Sequence, residues 1–277
     1  MKRFSLLFAL MLSLVLVVAA CGTSGGDNAK NNDNKEETKS GAGNDVLAKV
    51  KKEGKLVVGT EGTYPPFTFH DDKGKLTGFD VEVAEEVAKR LGVKAQFLET
   101  QWDAIFGGLD AKRFDMIANQ VGIRPDREEK YLFSIPYITS TAVLVAHSDN
   151  DKVKSFEDMK GLKSAQSMTS NYAKTAKEYG AEIVSVEGFN QAIELISSKR
   201  ADVTVNDNLS FLDFKNKRPE AKVKIVATSK DASKSGLMFR KDSESLVKEV
   251  NKALEEMIKD GTYNKISEKW FGENVLE

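Results

Sequence analysis

Apolar residues follow two spacings along the chain, one typical of strands and one typical of helices. Residues 56–60, "LVVGT", form a short apolar run of strand type. In residues 78–92, "GFDVEVAEEVAKRLG", the apolar positions from Ala84 onward repeat at i, i+3, i+4 and i+7, which is one face of an α-helix. Asp80 is the predicted N-cap of this helix, and Gly92 is its predicted stop.

The same alternation continues to the end of the chain. Further strands are predicted at residues 93–99, 114–118, 163–167, 182–186, 202–205, 222–227 and 235–241. Further helices are predicted at residues 103–111, 170–179, 189–198, 208–215 and 243–259, followed by a terminal helix that ends in "KWFGE". Alternating strands and helices predict an α/β fold with a parallel sheet.

The extended segment at residues 131–147, "YLFSIPYITSTAVLVAH", separates two series of strands and helices. This separation predicts two lobes joined by two crossover segments that act as a hinge. The first lobe is predicted to comprise residues 47–141 and 236–277, because the last strand and helices return to it. The second lobe is predicted to comprise residues 142–235.

The first 20 residues are typical of an export signal. Lys2 and Arg3 precede an apolar run at 4–20, and small residues stand directly before Cys21. This arrangement resembles a bacterial lipoprotein box, in which Cys21 is lipidated and becomes the mature N-terminus; an uncleaved membrane anchor is the alternative. Cys21 is the only cysteine, so the sequence excludes an internal disulfide and a cysteine-cluster metal site.

Residues 22–44 contain no aromatic residue and no Val, Ile, Leu or Met. Such a segment has too little apolar surface to order itself. Residues 21–46 are therefore predicted to be a flexible tether between the membrane and the folded part.

The charge balance and the absence of certain motifs exclude several functional classes. The chain has 41 Lys and Arg residues against 42 Asp and Glu residues, without the basic surplus typical of nucleic-acid-binding proteins. His70 and His147 lie far apart and have no carboxylates at ligand spacing, which argues against a metal site and a Ser-His-Asp triad. Neither G-x-x-x-x-G-K-[ST] nor G-x-G-x-x-G occurs. We therefore predict no cofactor and no enzymatic activity.

Four polar residues lie just beyond the ends of predicted strands, where ligands bind in open α/β sheets. Arg127 and the helix N-terminus at Thr169 and Ser170 are suited to hold a carboxylate, and Asp207 is suited to hold an ammonium group. Together they would bind a zwitterionic ligand. Each also has a purely structural interpretation, because aspartate and hydroxyl residues cap helices and arginine solvates surfaces. Taken singly, the aromatic residues Tyr64 and Trp102 are more typical of a hydrophobic core than of a ligand site.

Three segments resemble the polar amino-acid family of ABC-transporter substrate-binding proteins. They are "GFDVEVAEEVAKRL" (78–91), "FDMIANQVGIRPDREEKYLFSIPY" (114–137) and "DGTYNKISEKWFG" (260–272). The first resembles the family signature at every constrained position, and the resemblance extends over residues 47–277. It implies the two-lobed fold of periplasmic binding proteins.

The resemblance also implies roles for individual residues. Arg127 corresponds to the arginine that binds the α-carboxylate of the ligand, helped by the Gly122 amide and Thr169. Asp207 corresponds to the acceptor of the α-ammonium group. The family often has a hydroxyl residue at the position of Gly122, so Asp207 and the backbone carbonyl near Gln120 would carry more of the contact with the ammonium group.

The rest of the ligand site follows from the same resemblance. Tyr64 and Trp102 correspond to the side chains that sandwich the ligand, and Glu61 stands where relatives with basic ligands carry an acid. The variants "ANQVGI" and "SAQSMTSNY" are most similar to cystine-binding members. L-Cystine has a second α-ammonium group that Glu61 would meet, but lysine, arginine and histidine would satisfy the same acid.

The function implied is an extracytoplasmic lipoprotein, monomeric and anchored to the cell membrane through Cys21, that closes around an amino acid and delivers it to an ABC permease. A lyase similar to cyclohexadienyl dehydratase is the alternative on the same fold, although the sequence offers no clear acid for the elimination. Receptor-like or transglycosylase-fused relatives would need additional domains.

Overall fold

The computed structural model describes residues 45–276 of the chain. The predicted export signal, the lipidation site Cys21 and residues 21–44 of the predicted tether lie outside the described residues. Asp45 and Val46, which the sequence assigned to the end of the tether, belong to the folded part. The Asp45 side chain accepts a hydrogen bond of 2.9 Å from the amide of Leu47, and Val46 is buried at the start of the first helix.

The helices of residues 45–276 are α1 (Val46–Glu53), α2 (Phe79–Arg90), α3 (Trp102–Asp110), α4 (Pro125–Glu128), α5 (Asn171–Glu178), α6 (Phe189–Ser197), α7 (Asn208–Lys217), α8 (Glu244–Lys259) and α9 (Thr262–Phe271). The strands are β1 (Lys55–Thr60), β2 (Thr63–Tyr64), β3 (Thr68–His70), β4 (Leu76–Thr77), β5 (Lys94–Glu99), β6 (Met116–Ile117), β7 (Tyr131–Phe133), β8 (Ile138–His147), β9 (Lys163–Gln166), β10 (Glu182–Ser185), β11 (Val203–Asp207), β12 (Val223–Ser235) and β13 (Met238–Arg240). Every strand and helix predicted from the apolar pattern is present. None of the helices in this part of the chain has the length and apolarity needed to cross a bilayer.

Two five-stranded sheets form the centres of two lobes. The first has the order β5-β1-β6-β13-β7 and the second has the order β10-β9-β11-β8-β12. Three neighbouring strands in each sheet are parallel, as the alternating pattern predicts, whereas the last two in each order run antiparallel to their neighbours. The sheets are therefore mixed rather than parallel throughout. The pairing of β13 with β6 places this late strand in the same sheet as β1 and β5.

Helix α2 buries the predicted apolar face. Ala84, Val87 and Ala88 are fully buried in one cluster with Leu254 and Met257 of α8. Burying a side chain such as valine or leucine contributes roughly 1.5–3 kcal/mol, so this contact fixes α2 and α8 on the same sheet. The strand ends that precede the polar loops are thereby held in place.

The predicted cap at Asp80 is wrong. Gly78 is the N-cap of α2, with φ 134°, and Asp80 lies inside the first turn. The Asp80 carboxylate is fully buried and accepts hydrogen bonds from the Gln120 amide at 2.6 Å and the Tyr137 hydroxyl at 2.9 Å. The predicted stop at Gly92 is confirmed, because its left-handed backbone (φ 70°) follows the end of the helix.

Strands β8 and β12 carry the chain between the lobes. They pair antiparallel along their length, from Ile138 opposite Ser235 to His147 opposite Val223. At the first-lobe end, Ser235 also forms a bridge with Gly122. The two crossover segments therefore run side by side, directly beside the loop that carries Gly122. The exact lobe boundaries within these long strands stay a prediction.

Candidate functional site

A cavity lies between the lobes, and residues at strand ends of both lobes form its walls. Glu61 follows β1 in the first lobe, while Gln166 ends β9 in the second. The predicted residues that line this cavity are Glu61, Tyr64, Trp102, Gln120, Gly122 and Ser170. This is the position at which open α/β sheets bind ligands.

Arg127 and Thr169 line an adjoining depression. The depression shares Ser170 and Asn171 with the main cavity, so the two spaces are neighbours. The remaining predicted residue, Asp207, is fully buried and accepts hydrogen bonds from the cavity-lining residues Gln120 and Tyr172. The structure thus brings all nine predicted site residues to one region, but three of them do not line the main cavity.

The guanidinium of Arg127 is buried without a carboxylate partner in the described residues. Its Nη1 donates a hydrogen bond of 2.9 Å to the Gly122 carbonyl, and the whole residue is 8% exposed. Its Cζ atom lies 5.5 Å from the centroid of the Trp102 ring and 5.3 Å from that of Phe106. Burial, aided by the nearby charge of Arg124, lowers the pKa of Arg127 to about 10. A buried guanidinium in this state is suited to an anion.

Asp207 combines a structural and a site position. One oxygen accepts the Leu209 amide at 2.9 Å and caps α7, as the structural interpretation predicts. The other accepts Gln120 Nε2 at 2.6 Å, the Ser140 hydroxyl at 2.5 Å and the Tyr172 hydroxyl at 3.4 Å. Burial raises the pKa of Asp207, and these donors oppose the shift.

Glu61 is the second acid of the candidate site, and it is partly buried. Burial raises its pKa to about 7, although Asn119 Nδ2 donates a hydrogen bond of 2.6 Å to the carboxylate. No basic side chain of residues 45–276 forms a salt bridge with Glu61. A cationic group in the cavity would pair with the Glu61 carboxylate, which has no counter-charge within residues 45–276.

Tyr64 and Trp102 place aromatic rings on the cavity wall. The Tyr64 hydroxyl lies 2.9 Å from Asn206 Oδ1 in the second lobe and 3.3 Å from Gln120 Oε1 in the first. Trp102 is 8% exposed, and its buried Nε1 has no hydrogen-bond partner within the described residues.

Ser170 caps α5, because its side chain accepts the Ala173 amide at 3.0 Å. The hydrogen-bond donors of Thr169 are engaged across the cleft. Its amide and hydroxyl donate to Asp103 Oδ1 at 3.0 and 2.7 Å. Asp103 belongs to the first turn of α3, in the first lobe.

Gln120 connects the two lobes through its side chain and occupies the left-handed region of backbone space, with φ 49°. Its Nε2 contacts both Ser140 of β8 and Asp207 of β11. The backbone amide of Gln120 donates a hydrogen bond to the buried Asp80 carboxylate. The sequence interpretation assigned only the backbone near Gln120 to the site and missed this network.

Other residues that the sequence interpretation missed are Asn119, Gln166, Tyr172, Phe189 and Asn206, all of which line the cavity. Their positions beside strand ends would have nominated Asn119 and Asn206. Within residues 45–276, no group of His, Cys, Asp and Glu side chains is arranged to hold a metal ion.

Comparison with known proteins shows extensive similarity. Residues 56–273 match the bacterial extracellular solute-binding proteins, family 3. The L-cystine-binding protein TcyA of Bacillus subtilis is 51% identical over 276 residues, which cover 99% of this chain and 99% of that protein.

Two solved structures are similar over most of the chain. An ancestral arginine-binding protein bound to arginine is 40% identical, with a TM-score of 0.75 over 79% of this chain and 98% of that one. The L-cystine solute receptor of Neisseria gonorrhoeae in the unliganded open conformation is 48% identical, with a TM-score of 0.56 over 83% of this chain and 99% of that one. The present arrangement is therefore closer to the arginine-bound structure than to the open receptor, although the receptor is closer in sequence.

Proposed function

The chain belongs to the bacterial extracellular solute-binding proteins, family 3, and we propose that it binds L-cystine between its lobes and delivers it to an ABC permease. The role is binding rather than catalysis. The relative with 51% identity over nearly the full length is named as an L-cystine-binding protein, which supports this choice of ligand.

The observation that carries the proposal is a pair of ionisable groups without counter-charges, one buried at Arg127 and one partly buried at Glu61. Arg127 lacks an acid partner and Glu61 lacks a basic partner among the described residues. An isolated buried charge is costly, so each site favours a ligand group of opposite sign. A ligand that carries a carboxylate near Arg127 and an ammonium group near Glu61 satisfies both.

In this proposal the first α-carboxylate of the ligand binds Arg127, helped by the Gly122 amide, and the first α-ammonium group approaches Asp207. Tyr172 lines the cavity, and its 3.4 Å contact is the longest of the three side-chain bonds to Asp207. Long hydrogen bonds are weak, so the ammonium group replaces the Tyr172 contact rather than that of Gln120 or Ser140.

The middle of the ligand lies against Tyr64 and Trp102. Sulfur contacts with aromatic rings contribute about 0.3–1.5 kcal/mol each, which favours a disulfide over an aliphatic chain. The second ammonium group of cystine meets Glu61. Arginine, lysine and histidine also place a cation there, and they are the competing ligands within the same cavity.

We further propose that Cys21 carries lipid and that residues 21–44 tether a monomeric domain to the extracytoplasmic face of the membrane. The Val-Ala-Ala sequence before Cys21 supports this proposal. The lobes move as units comprising residues 47–141 with 236–277, and 142–235. The paired strands β8 and β12 provide the hinge.

A thermal-shift panel of L-cystine and the twenty standard amino acids tests the ligand. We expect L-cystine to raise the melting temperature most. A larger shift with arginine, lysine or histidine would support the amino-acid site but contradict cystine as its preferred ligand. Product formation from prephenate or arogenate would instead support the lyase and contradict a binding role.

A further inference from the structure

We propose that Asp80, which does not line the cavity, is a positioning residue for the ammonium subsite, the part of the candidate site around Asp207. It acts through Gln120, whose backbone it holds so that the Gln120 side chain reaches Asp207. The inference rests on the proposed binding function, in which Asp207 receives the α-ammonium group of the ligand. It gives a buried acid on a helix behind the site a role in ligand affinity.

Two hydrogen bonds satisfy the Asp80 carboxylate, and both come from outside its own helix. Oδ2 accepts the backbone amide of Gln120 at 2.6 Å, and Oδ1 accepts the Tyr137 hydroxyl at 2.9 Å. Asp80 is fully buried in the first turn of α2, where acidic side chains often stabilise a helix. Here the carboxylate instead joins α2 to the loop after β6 and to the residue before β8. It is therefore placed to hold that loop.

The backbone of Gln120 needs this support. Its φ of 49° lies in the left-handed region, which residues other than glycine adopt rarely and at a cost. Its amide donates to Asp80 at 2.6 Å, and its carbonyl accepts the Ser235 hydroxyl at 3.3 Å. The contact with Asp80 is the shorter one, and hydrogen bonds to an ionised carboxylate are stronger than those between neutral groups. Asp80 is therefore the main group that fixes this backbone conformation.

The fixed backbone directs the Gln120 side chain into the second lobe. Its Nε2 donates a hydrogen bond of 2.6 Å to Asp207 Oδ2. The same oxygen accepts the Tyr172 hydroxyl at 3.4 Å, the contact that the ammonium group replaces in the proposed binding mode, whereas Oδ1 caps α7. Gln120 thus orients the oxygen that the ligand approaches, and its hydrogen bond lowers the pKa of Asp207 against the effect of burial.

Two substitutions at Asp80 separate its acceptor oxygens from its charge. Asp80→Asn removes the charge but keeps one acceptor oxygen. That oxygen faces the Gln120 amide, which can only donate, while the new amide group donates to the hydroxyl oxygen of Tyr137. Asp80→Ala removes the charge and both acceptors, so the Gln120 amide loses its partner. A difference between the two variants therefore reports positioning and not the charge of Asp80.

Carboxyl ¹³C NMR titration of the ligand-free full chain measures the pKa of Asp207. The Gln120 hydrogen bond favours the ionised form, so we expect a higher pKa for Asp207 in Asp80→Ala than in Asp80→Asn. Asp115→Ala is the matched control, because Asp115 is a buried acid of the same lobe that accepts the Val57 amide at 3.1 Å. It should leave the pKa of Asp207 unchanged. Equal pKa values in the two Asp80 variants would overturn the proposal.

Calorimetric titration with L-cystine at about pH 8.5 measures the consequence for binding. This pH lies above the pKa of about 7 of both Asp80 and Glu61, so both are ionised in wild type. Asp80→Ala should bind cystine about tenfold more weakly than Asp80→Asn, because the buried Gln120 amide is left without an acceptor. Asp115→Ala should lower the melting temperature but keep the wild-type affinity. Equal cystine affinities of the two Asp80 variants would also overturn the proposal.

A third substitution tests whether Asp80 acts through Gln120. Gln120→Met keeps a side chain of similar length that cannot donate to Asp207. In this background Asp80→Ala and Asp80→Asn should have the same cystine affinity, because the hydrogen bond that Asp80 positions is already absent. A persisting tenfold difference would contradict the route through Gln120. If Asp80→Ala does not fold, Asp80→Ser replaces it, since its shorter side chain also withdraws the acceptor from the Gln120 amide.

The NMR titration of Asp207 needs no ligand, so it separates this inference from the proposed function. The expected pKa difference without cystine binding to wild type would support the positioning of Asp207 by Asp80 and reject cystine. Cystine binding by wild type, with equal Asp207 pKa values and equal affinities in the two Asp80 variants, would support cystine and reject the positioning role.

Discussion

Glu61 is a partly buried acid whose ionisation should couple ligand binding to pH. Its pKa is about 7 in the free protein because burial disfavours the carboxylate. An ammonium group beside it favours the ionised form, so ligand binding releases a proton when Glu61 starts protonated. Cystine affinity should therefore fall as the pH decreases from about 7 to 5, by up to roughly tenfold per unit. Titrations over this range should show a steeper slope in wild type than in Glu61→Gln, whose remaining slope reports the other buried acid of the site, Asp207, because burial raises its pKa as well.

Ionisation of Glu61 should also destabilise the free protein, whereas it strengthens the binding of cystine. An acid with a raised folded pKa binds more protons when folded than when unfolded between pH 4.5 and 7, so its ionisation destabilises the fold as the pH rises. Glu61→Gln should therefore raise the melting temperature at pH 7.5 and leave it nearly unchanged at pH 4. A lower melting temperature at pH 7.5 would contradict the assigned burial.

Arg127 and Asp207 are predicted to carry the largest share of ligand affinity. Removing one partner of a desolvated charge pair costs about 2–5 kcal/mol in binding. Arg127→Ala should therefore weaken cystine binding strongly, and Arg127→Lys should also weaken it because an ammonium group lacks the bidentate fork. If calorimetry gave wild-type cystine affinity for Arg127→Ala or Asp207→Ala, the assignment of that residue to the ligand site would be wrong.

The sequence predicted which residue types gather at the cleft, because strand ends of an α/β sheet converge there. It did not predict how they pair. Asp207 caps a helix and also accepts a hydrogen bond from Gln120 beside the candidate site, and Asp80 is a partner of Gln120 rather than a cap. Both outcomes depend on residues about 40 to 90 positions away, such as Gln120 opposite Asp207, which local patterns do not contain.

At the scale of elements, the predicted helices and strands are those with several apolar residues at regular spacing. The sequence interpretation missed α1 and the three-stranded sheet β2-β3-β4. Helix α1 buries only Val46 and Val50. The strands of the small sheet have two or three residues each, too few to show an alternating pattern.

The start of α2 provides a test of element packing. Gly78 has φ 134°, and a Cβ atom there would lie 2.2 Å from the Phe67 carbonyl oxygen. Gly78→Ala should lower the free energy of unfolding by at least about 2 kcal/mol in urea denaturation. Gly107→Ala is the control, because its Cβ meets nothing within 4 Å and alanine favours the helix by roughly 0.5–1 kcal/mol. Similar stability of the two variants would contradict the packing of α2 on Phe67.

At the scale of the whole molecule, Cys21 is predicted to determine where the protein resides. Stable membrane attachment requires more than one acyl chain, which lipidation of an N-terminal cysteine supplies. Cys21→Ala should release the protein from the membrane fraction or block its processing, whereas a serine change within the tether, such as Ser40→Ala, should not. Normal processing together with unchanged fractionation of Cys21→Ala would contradict the anchor.

Calorimetric titration of L-cystine into the wild-type protein tests the central claim most directly. The claim is that one cavity between the lobes binds a ligand with two zwitterionic ends, one at Arg127 and Asp207 and the other at Glu61. We predict a single site, with a lower dissociation constant for cystine than for arginine, lysine or histidine under the same conditions. Tighter binding of any of these three, or no binding of cystine, would contradict the claim.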